Sequence, residues 1–261
     1  MFVEQRLDQF LQALGARGSI TVDQAAELAG VSQDTVRRDF NRLAERGLAL
    51  RTHGGIMTRD NYVHDSTIRE RRIQHAAQKA AIARAAAALV VDNETIALDG
   101  GTTTFGVIAH LSPAASLTLI TYSLDAAIEV ARRPNMSAIV LGGVVREPTL
   151  SVVGPDAMAM VRTFHANTFL LGANAVSLEF GLMTPNRMEA ELKTALIAIS
   201  DRVVLLVDSS KINKRALVTF GSLDSVTTLV TDAGADPQFC EQLRQKGTQV
   251  IIARQEQGAA Q

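Results

Sequence analysis

From about residue 95 onward the chain alternates apolar runs of strand length with segments of helical period. The runs are TIALD at 95–99, LTLIT at 117–121, SAIVL at 137–141, TFLLG at 168–172, RVVLLVD at 202–208, VTTLVTD at 226–232 and QVIIA at 249–253. Helical patterns fall between most of them, at 103–111, 123–133, 155–164, 188–200 and 236–246. Near-continuous apolar strands are buried on both faces, so the pattern predicts an α/β domain with a mostly parallel sheet. An Ala-rich helix, QHAAQKAAIARAAAALV from residue 74, opens it; alanine is the best helix former and permits close packing.

The first 58 residues keep a different rhythm. Phe10, Leu11 and Leu14 supply the core of a first helix, and Val22, Ala25, Ala26 and Leu28 the small apolar face of a second, with Thr21 and Gln24 at capping-box spacing. Gly30 breaks the chain. Ser32 then suits an N-cap and Gly47 a left-handed position past the C-terminus, which predicts a helix over 33–46. At about 100° per residue, Val36, Phe40 and Leu43 share one stripe, with Asp34, Arg38, Asn41 and Glu45 opposite. LALRT reads as a strand, HGG as a tight turn and IMT as a return strand. The charged stretch TRDNYVHDSTIRERRI at 58–73 lacks apolar periodicity and reads as a connector. The expected organisation is therefore a domain at 1–58, a linker at 59–73, an α/β domain at 74–255 and a polar tail at 256–261.

Composition narrows the function classes. A chain of 261 residues with 47% hydrophobic and 20% charged residues can bury two cores. Its net charge of −1 argues against nonspecific coating of nucleic acid, whereas a sequence reader needs only well-placed arginines. Cys240 is the only cysteine, which excludes an intrachain disulfide and a cysteine-rich zinc site; His110 and His165 have no ligand partners at metal spacing, so no metal or cofactor is expected. The charged N-terminus has no signal-peptide pattern and no apolar run is long enough to span a bilayer, so the expected location is the cytoplasm, with no membrane partner.

Helix, glycine turn and second helix followed by a β-hairpin predict a winged helix-turn-helix, whose second helix enters a major groove. The candidate DNA-binding residues are Ser32, Gln33, Thr35, Arg37, Arg38, Asn41 and Arg42 on that helix, with Arg51, His53 and Gly54 in the wing. An Arg-rich helical face is also what a plain solvated surface looks like, and His53 could simply fit its turn. In the second domain DGGTTT, Asp99, Gly100, Gly101, Thr102, Thr103 and Thr104, follows a strand and opens a helix, an arrangement suited to an anion although N-capping explains the threonines equally well. It lacks the GK[ST] ending of a nucleotide-binding loop. Further polar groups follow other strands: Tyr122 and Ser123, Gly142 and Gly143 with Arg146, Ala173 and Asn174, and Ser209, Ser210 and Lys211; Lys211 is one of only five lysines and stands where it suits a phosphate.

VSQDTVRRDFNRLAERG at Val31–Gly47 and RTHGG at Arg51–Gly55 resemble the N-terminal domain of the DeoR family of bacterial transcription regulators. The rest is similar to the family's sensor domain. Arg71, Lys79, Ile82 and Ala83 match an Arg, Lys, Ile-Ala pattern; DGGTTT, LGG with SVVG, GLMT with Glu189, Glu191 and Lys193, and DSSK match later elements. The resemblance implies a sugar-phosphate-binding domain related in fold to ribose-5-phosphate isomerase, with Asp99–Thr104, Tyr122, Ser123, Gly143, Lys193 and Lys211 at the effector. It also implies a homo-oligomeric repressor of a carbohydrate operon, released from double-stranded operator DNA by a phosphorylated sugar. Asn167, Tyr122-Ser123, Ala173–Ala175 and Ile212-Asn213 depart from the family pattern near strand ends, where sugar hydroxyls would be read. Two rivals stand beside this expectation. One is a ligand-dependent activator. The other is a sugar-phosphate isomerase or deaminase with a DNA-binding appendage, for which Asp125, Glu179, Glu189 or Glu191 would serve in proton transfer.

Overall fold

The structure, a computed structural model, describes residues 3–17, 19–52, 54–58, 63 and 66–255. His53 and the polar tail lie outside the described residues. The chain divides into two compact units, residues 1–63 with 213–215, and residues 64–212 with 216–261.

The first unit runs α1 (Val3–Arg17), β1 (Ser19–Thr21), α2 (Val22–Ala29), α3 (Gln33–Glu45), β2 (Leu50–Arg51) and β3 (Gly55–Met57). The caps form as the spacing predicts. Thr21 and Gln24 close a capping box on α2, Gly30 ends it at φ 64°, and Gly47 follows α3 at φ 70°. Phe10 and Phe40 meet edge to face, ring centroids 5.4 Å apart, in a core with Leu7, Leu14, Ile20, Val36, Leu43 and Ile56. Leu28, expected on the apolar face of α2, is exposed instead. The hairpin gains a third strand: β1 pairs antiparallel with β3, Ile20 opposite Ile56, giving the order β1-β3-β2. A three-residue strand has too few positions to show a period. Gly55 permits the pairing, because a Cβ there would lie 2.1 Å from the Ile20 carbonyl oxygen.

One buried charge was not expected. Asp39 lies on the inner side of α3, where Arg6 Nε of α1 donates to its Oδ2 at 2.5 Å and Arg42 Nη1 approaches Oδ1 at 3.4 Å.

The second unit begins with α4 (Ile68–Ile73) and α5 (Ala76–Ala87), then β4 (Thr95–Leu98), α6 (Thr102–Val107), β5 (Leu117–Thr121), α7 (Leu124–Ala131) and β6 (Met136–Val140). It continues through β7 (Val144–Arg146), β8 (Ser151–Val153), α8 (Pro155–Val161), β9 (Ala166–Leu171), β10 (Ala175–Ser177), β11 (Gly181–Thr184) and α9 (Arg187–Ala198). It closes with β12 (Ser200–Leu206), β13 (Val218–Gly221), β14 (Thr228–Asp232), α10 (Pro237–Gln245) and β15 (Gln249–Ala253). Part of the stretch read as a connector is thus the helix α4, begun by a capping box of Thr67 and Glu70 whose signal is hidden among charges.

Seven strands form one sheet in the order β15-β14-β12-β9-β4-β5-β6, with every neighbouring pair parallel. All seven coincide with the apolar runs, and side chains alternate between two cores. Ile96 and Leu98 of β4 face the cluster with Ile82 of α5 and Val130 of α7; Ala97, between them, faces the cluster with Leu192 of α9 and Phe239 and Cys240 of α10. The antiparallel pair β7-β8 and the small sheet β10-β11-β13 are additions to the expected pattern, made of three- and four-residue strands. The strand order reverses between β4 and β9, the place where open α/β sheets leave a crevice at the carboxyl ends of their strands.

Candidate functional site

The face of α3 away from the core is the candidate nucleic-acid interface. Ser32 caps the helix, its Oγ accepting from Thr35 N at 3.4 Å. Gln33, Arg37, Arg38, Asn41 and Arg42 are exposed, and Thr35 is half-buried. Several are lightly tethered: Gln33 Nε2 donates to Asp23 Oδ1 at 2.6 Å, Arg37 Nη1 to Asp34 Oδ1 at 3.0 Å and Arg38 Nε to the Asp34 carbonyl at 3.3 Å. Exposed contacts of this kind contribute about 0–1 kcal/mol and can be exchanged for contacts to DNA. In the wing, Gly54 is exposed, while Arg51 donates to the Gly55 carbonyl at 3.0 Å with its guanidinium carbon 5.8 Å from the centre of the Phe40 ring.

In the second unit a pocket of about 600 Å³, counting space open to solvent, lies where β4, β9 and β12 end. Of the expected effector residues, Asp99, Gly100, Gly101, Thr102, Thr103, Tyr122, Lys193 and Lys211 line it. Thr104, Ser123 and Gly143 do not. Thr104 is buried, its hydroxyl donating to the Asp99 and Gly101 carbonyls. Ser123 caps α7, accepting from Ala126 N. Gly143 has φ 135° and permits close approach to β8, a Cβ there being 2.6 Å from the Val153 carbonyl oxygen.

Asp99 is the centre of a buried network. Its Oδ1 accepts from Lys193 Nζ at 2.6 Å and from the Tyr122 hydroxyl, and its Oδ2 from Gly101 N at 3.2 Å. Lys193 also donates to the Gly172 carbonyl at 2.7 Å. Burial, reinforced by the Asp99 charge, pushes the Tyr122 hydroxyl well above its usual range, so it stays a donor. Glu189 Oε1 accepts from Thr149 Oγ1 at 2.8 Å, Ser151 Oγ at 3.0 Å and Arg146 Nε at 3.3 Å. Burial raises the Glu189 carboxyl, but Lys193, Thr149, Arg146 and Ser151 outweigh it and hold the group below its ordinary value. Asn174 Oδ1 accepts from Thr184, which turns the amide nitrogen into the group left to donate.

Sequence reasoning missed the cations on another part of the wall. Arg71 of α4 and Lys79 of α5 line the pocket with Lys211, against one carboxylate, Asp208. Burial lowers Lys79 to about 8, with Lys211 and Arg71 adding to the fall and Asp208 opposing it. Lys79 was legible as the only lysine before residue 193, set among alanines on a helix that must be buried. Thr149 and Ser151 carried no such signal, because they reach the pocket on a short strand and the turn before it.

Residues 6–61 match the DeoR-like helix-turn-helix domain and residues 74–233 the DeoR C-terminal sensor domain. Over 253 residues the chain is 34% identical to an uncharacterized HTH-type transcriptional regulator, YulB, of Bacillus subtilis (strain 168), covering 96% of each chain. It is 31% identical over 251 residues to the HTH-type transcriptional repressor CsqR of Escherichia coli (strain K12), again covering 96% of each. Among solved structures, ribose 5-phosphate isomerase A from Neisseria gonorrhoeae is similar at a TM-score of 0.38 and 18% identity, over 52% of this chain and 53% of that one.

Proposed function

The chain belongs to the DeoR family of transcriptional regulators, and from that premise we propose that it represses a carbohydrate-catabolic operon until a phosphorylated sugar releases it. The reading helix is α3, with Arg37, Arg38 and Asn41 at base edges and Arg51, His53 and Gly54 at the backbone. Operator DNA is bound by a homo-oligomer, whose symmetry matches paired half-sites. The effector occupies the pocket at the switch point. The observation that carries this reading is the lining itself: glycine backbone at Gly100 and Gly101, hydroxyls at Thr102 and Thr103, and Lys211 in the same pocket suit a phosphate.

A regulator is favoured over an isomerase by the state of the carboxylates. Glu189, the candidate base that lines the pocket, is depressed by its partners, whereas a general base works best with a pKa near the operating pH. Binding and chemistry make different demands, and this pocket meets those of binding.

The test is release from operator DNA titrated with a panel of sugar phosphates, chosen by the rise in melting temperature each causes. Lys211→Ala is expected to bind operator normally and to need far more effector for release. Release at the wild-type concentration would remove Lys211, and with it this placement of the phosphate.

A further inference from the structure

Gln33 is the first residue of α3 and is exposed, yet its neighbours give its amide one orientation. Nε2 donates to Asp23 Oδ1 at 2.6 Å and Oε1 accepts from Arg37 Nη2 at 3.4 Å, while Arg37 Nη1 donates to Asp34 Oδ1 at 3.0 Å. A carboxylate only accepts and a guanidinium only donates, so the chemistry of the two partners decides which end of the amide is nitrogen. The reverse orientation would set oxygen against carboxylate and nitrogen against guanidinium. Each contact is weak by itself, but both favour the same orientation.

The backbone that carries this pair is well held. Asp23 lies in the first turn of α2, between the buried Val22 and Gln24, whose side chain closes the capping box with Thr21. In the turn before α3, Gly30 N and Val31 N both donate to the Ala26 carbonyl. The hydroxyls of Ser32 and Thr35, which flank Gln33, are 3.0 Å apart and satisfy one another. Gln33 therefore meets DNA with its amide already aimed, and the ordering of side chains is part of what binding otherwise costs. Among the described residues, one N–H of Nε2 and one lone pair of Oε1 are left over.

The N-terminal residues of a reading helix lie at base edges in the major groove. There adenine presents an acceptor beside a donor, guanine two acceptors, thymine an acceptor and a methyl group, and cytosine a donor. Only adenine uses both groups that Gln33 has left. Building on the reading of α3 above, we infer that Gln33 reads an adenine in each half-site by a bidentate contact, and that Asp23 is the positioning residue that sets its amide for it. Asp23 accepts only and so offers a phosphate nothing; its part in recognition runs through Gln33.

The probe is a duplex library of randomised sequence presented to the full chain; the selected half-site is then remade with each base in turn at every position for competition binding. The wild type is expected to prefer adenine at one position by at least about fivefold, the low end for a bidentate pair, and Gln33→Ala to flatten that preference. Asp23→Ala is expected to cut it about two- to fivefold, as far as an exposed tether allows, and Asp23→Asn, which keeps an oxygen acceptor, to fall between. Loss of a carboxylate strengthens binding to all duplexes alike through their phosphates, and loss of stability weakens it alike. Neither changes the ratio between bases at one position, and the melting temperature checks the fold. If Gln33→Ala selects the same bases as the wild type while Arg38→Ala does not, α3 remains the reading helix and the Gln33 assignment is overturned. A preference that Gln33→Ala flattens but Asp23→Ala leaves intact overturns the positioning role, and a preference there for another base overturns the adenine. If the wild type selects no sequence, this inference and the reading of α3 both fall.

Discussion

Replacing Arg6 by methionine isolates the contribution of the buried ion pair between α1 and α3. Arg6 Nε is 2.5 Å from Asp39 Oδ2, and the two side chains are 8% and 1% exposed. The other cation near Asp39 is the half-exposed Arg42, at 3.4 Å. Breaking a buried pair by removing one partner costs about 3–5 kcal/mol, because a charge is left without compensation. Arg42 offsets a part, which places the expected loss near the lower end, about 3 kcal/mol. At about 0.05–0.15 kcal/mol per residue, a unit of roughly 60 residues has only about 3–9 kcal/mol in all. The variant should therefore lose between about a third and all of the stability of its N-terminal unit, and operator binding with it, while the pocket keeps its ligand. Calorimetry of the full chain reads this as a large downward shift of one transition with the other in place. Arg6→Met with Asp39→Leu should recover much of the loss, since replacing both partners by apolar groups is often neutral. A shift of the first transition below about 4 °C, equivalent to less than about 1 kcal/mol in a domain of this size, would refute the reasoning.

The remaining expectations concern the two sites. Arg38→Ala should weaken specific operator binding by about 1–3 kcal/mol if the side chain makes a bidentate base contact, while Arg51→Ala should weaken all sequences alike and flatten the salt dependence by about one unit; gel-shift titrations at several salt concentrations separate the two, and unchanged operator binding by Arg38→Ala removes it from the groove. Lys79 has a folded pKa of about 8 against 10.5 for the free side chain; between those values the unfolded chain binds more protons, so its contribution to stability rises with pH across that window. Affinity for phosphate should move the opposite way, falling as Lys79 loses its charge above about pH 8 beside Arg71, Lys211 and Asp208; equal phosphate-induced melting shifts at about pH 7 and about pH 9.5 would show that its charge is not used.

What could be read from the sequence followed the length of the periodic signal. The seven parallel strands show as apolar runs because both of their faces are buried, and α3 shows because thirteen residues suffice to separate Phe40 from Arg38. The strands β1, β7, β8 and β10 are three residues long, and nothing in SIT, VVR, SVV or AVS distinguishes them from loop. Asp39 escaped notice because a carboxylate in a polar helix reads as solvated until Arg6, 33 residues away, is brought against it. In the pocket, the glycine-threonine turn was legible from its place after a strand. Arg71 entered only as a family match, and Glu189 only as a family match and a candidate for proton transfer, since their environment is made by tertiary packing that no spacing encodes.

The place of β9 in the sheet also sets an order of assembly. β4 is made early and pairs with β5, close to it in sequence, but its other edge is covered by β9, Ile96 aligning with Thr168 across 72 residues. At a synthesis rate of about 5–20 residues per second, the nascent chain carries that edge open for roughly 4–15 s. During this interval Ile96, Ala97 and Leu98 belong to what will be the centre of the sheet yet form its exposed border, the kind of edge along which unfinished chains associate. The core of the N-terminal unit has no such wait, because all its members lie between Leu7 and Ile56. A ribosome halted before residue 166 should therefore hold a finished reading helix followed by a sticky half-sheet, and slow decoding through 99–165 should lower the soluble yield of the protein more than slow decoding after 171.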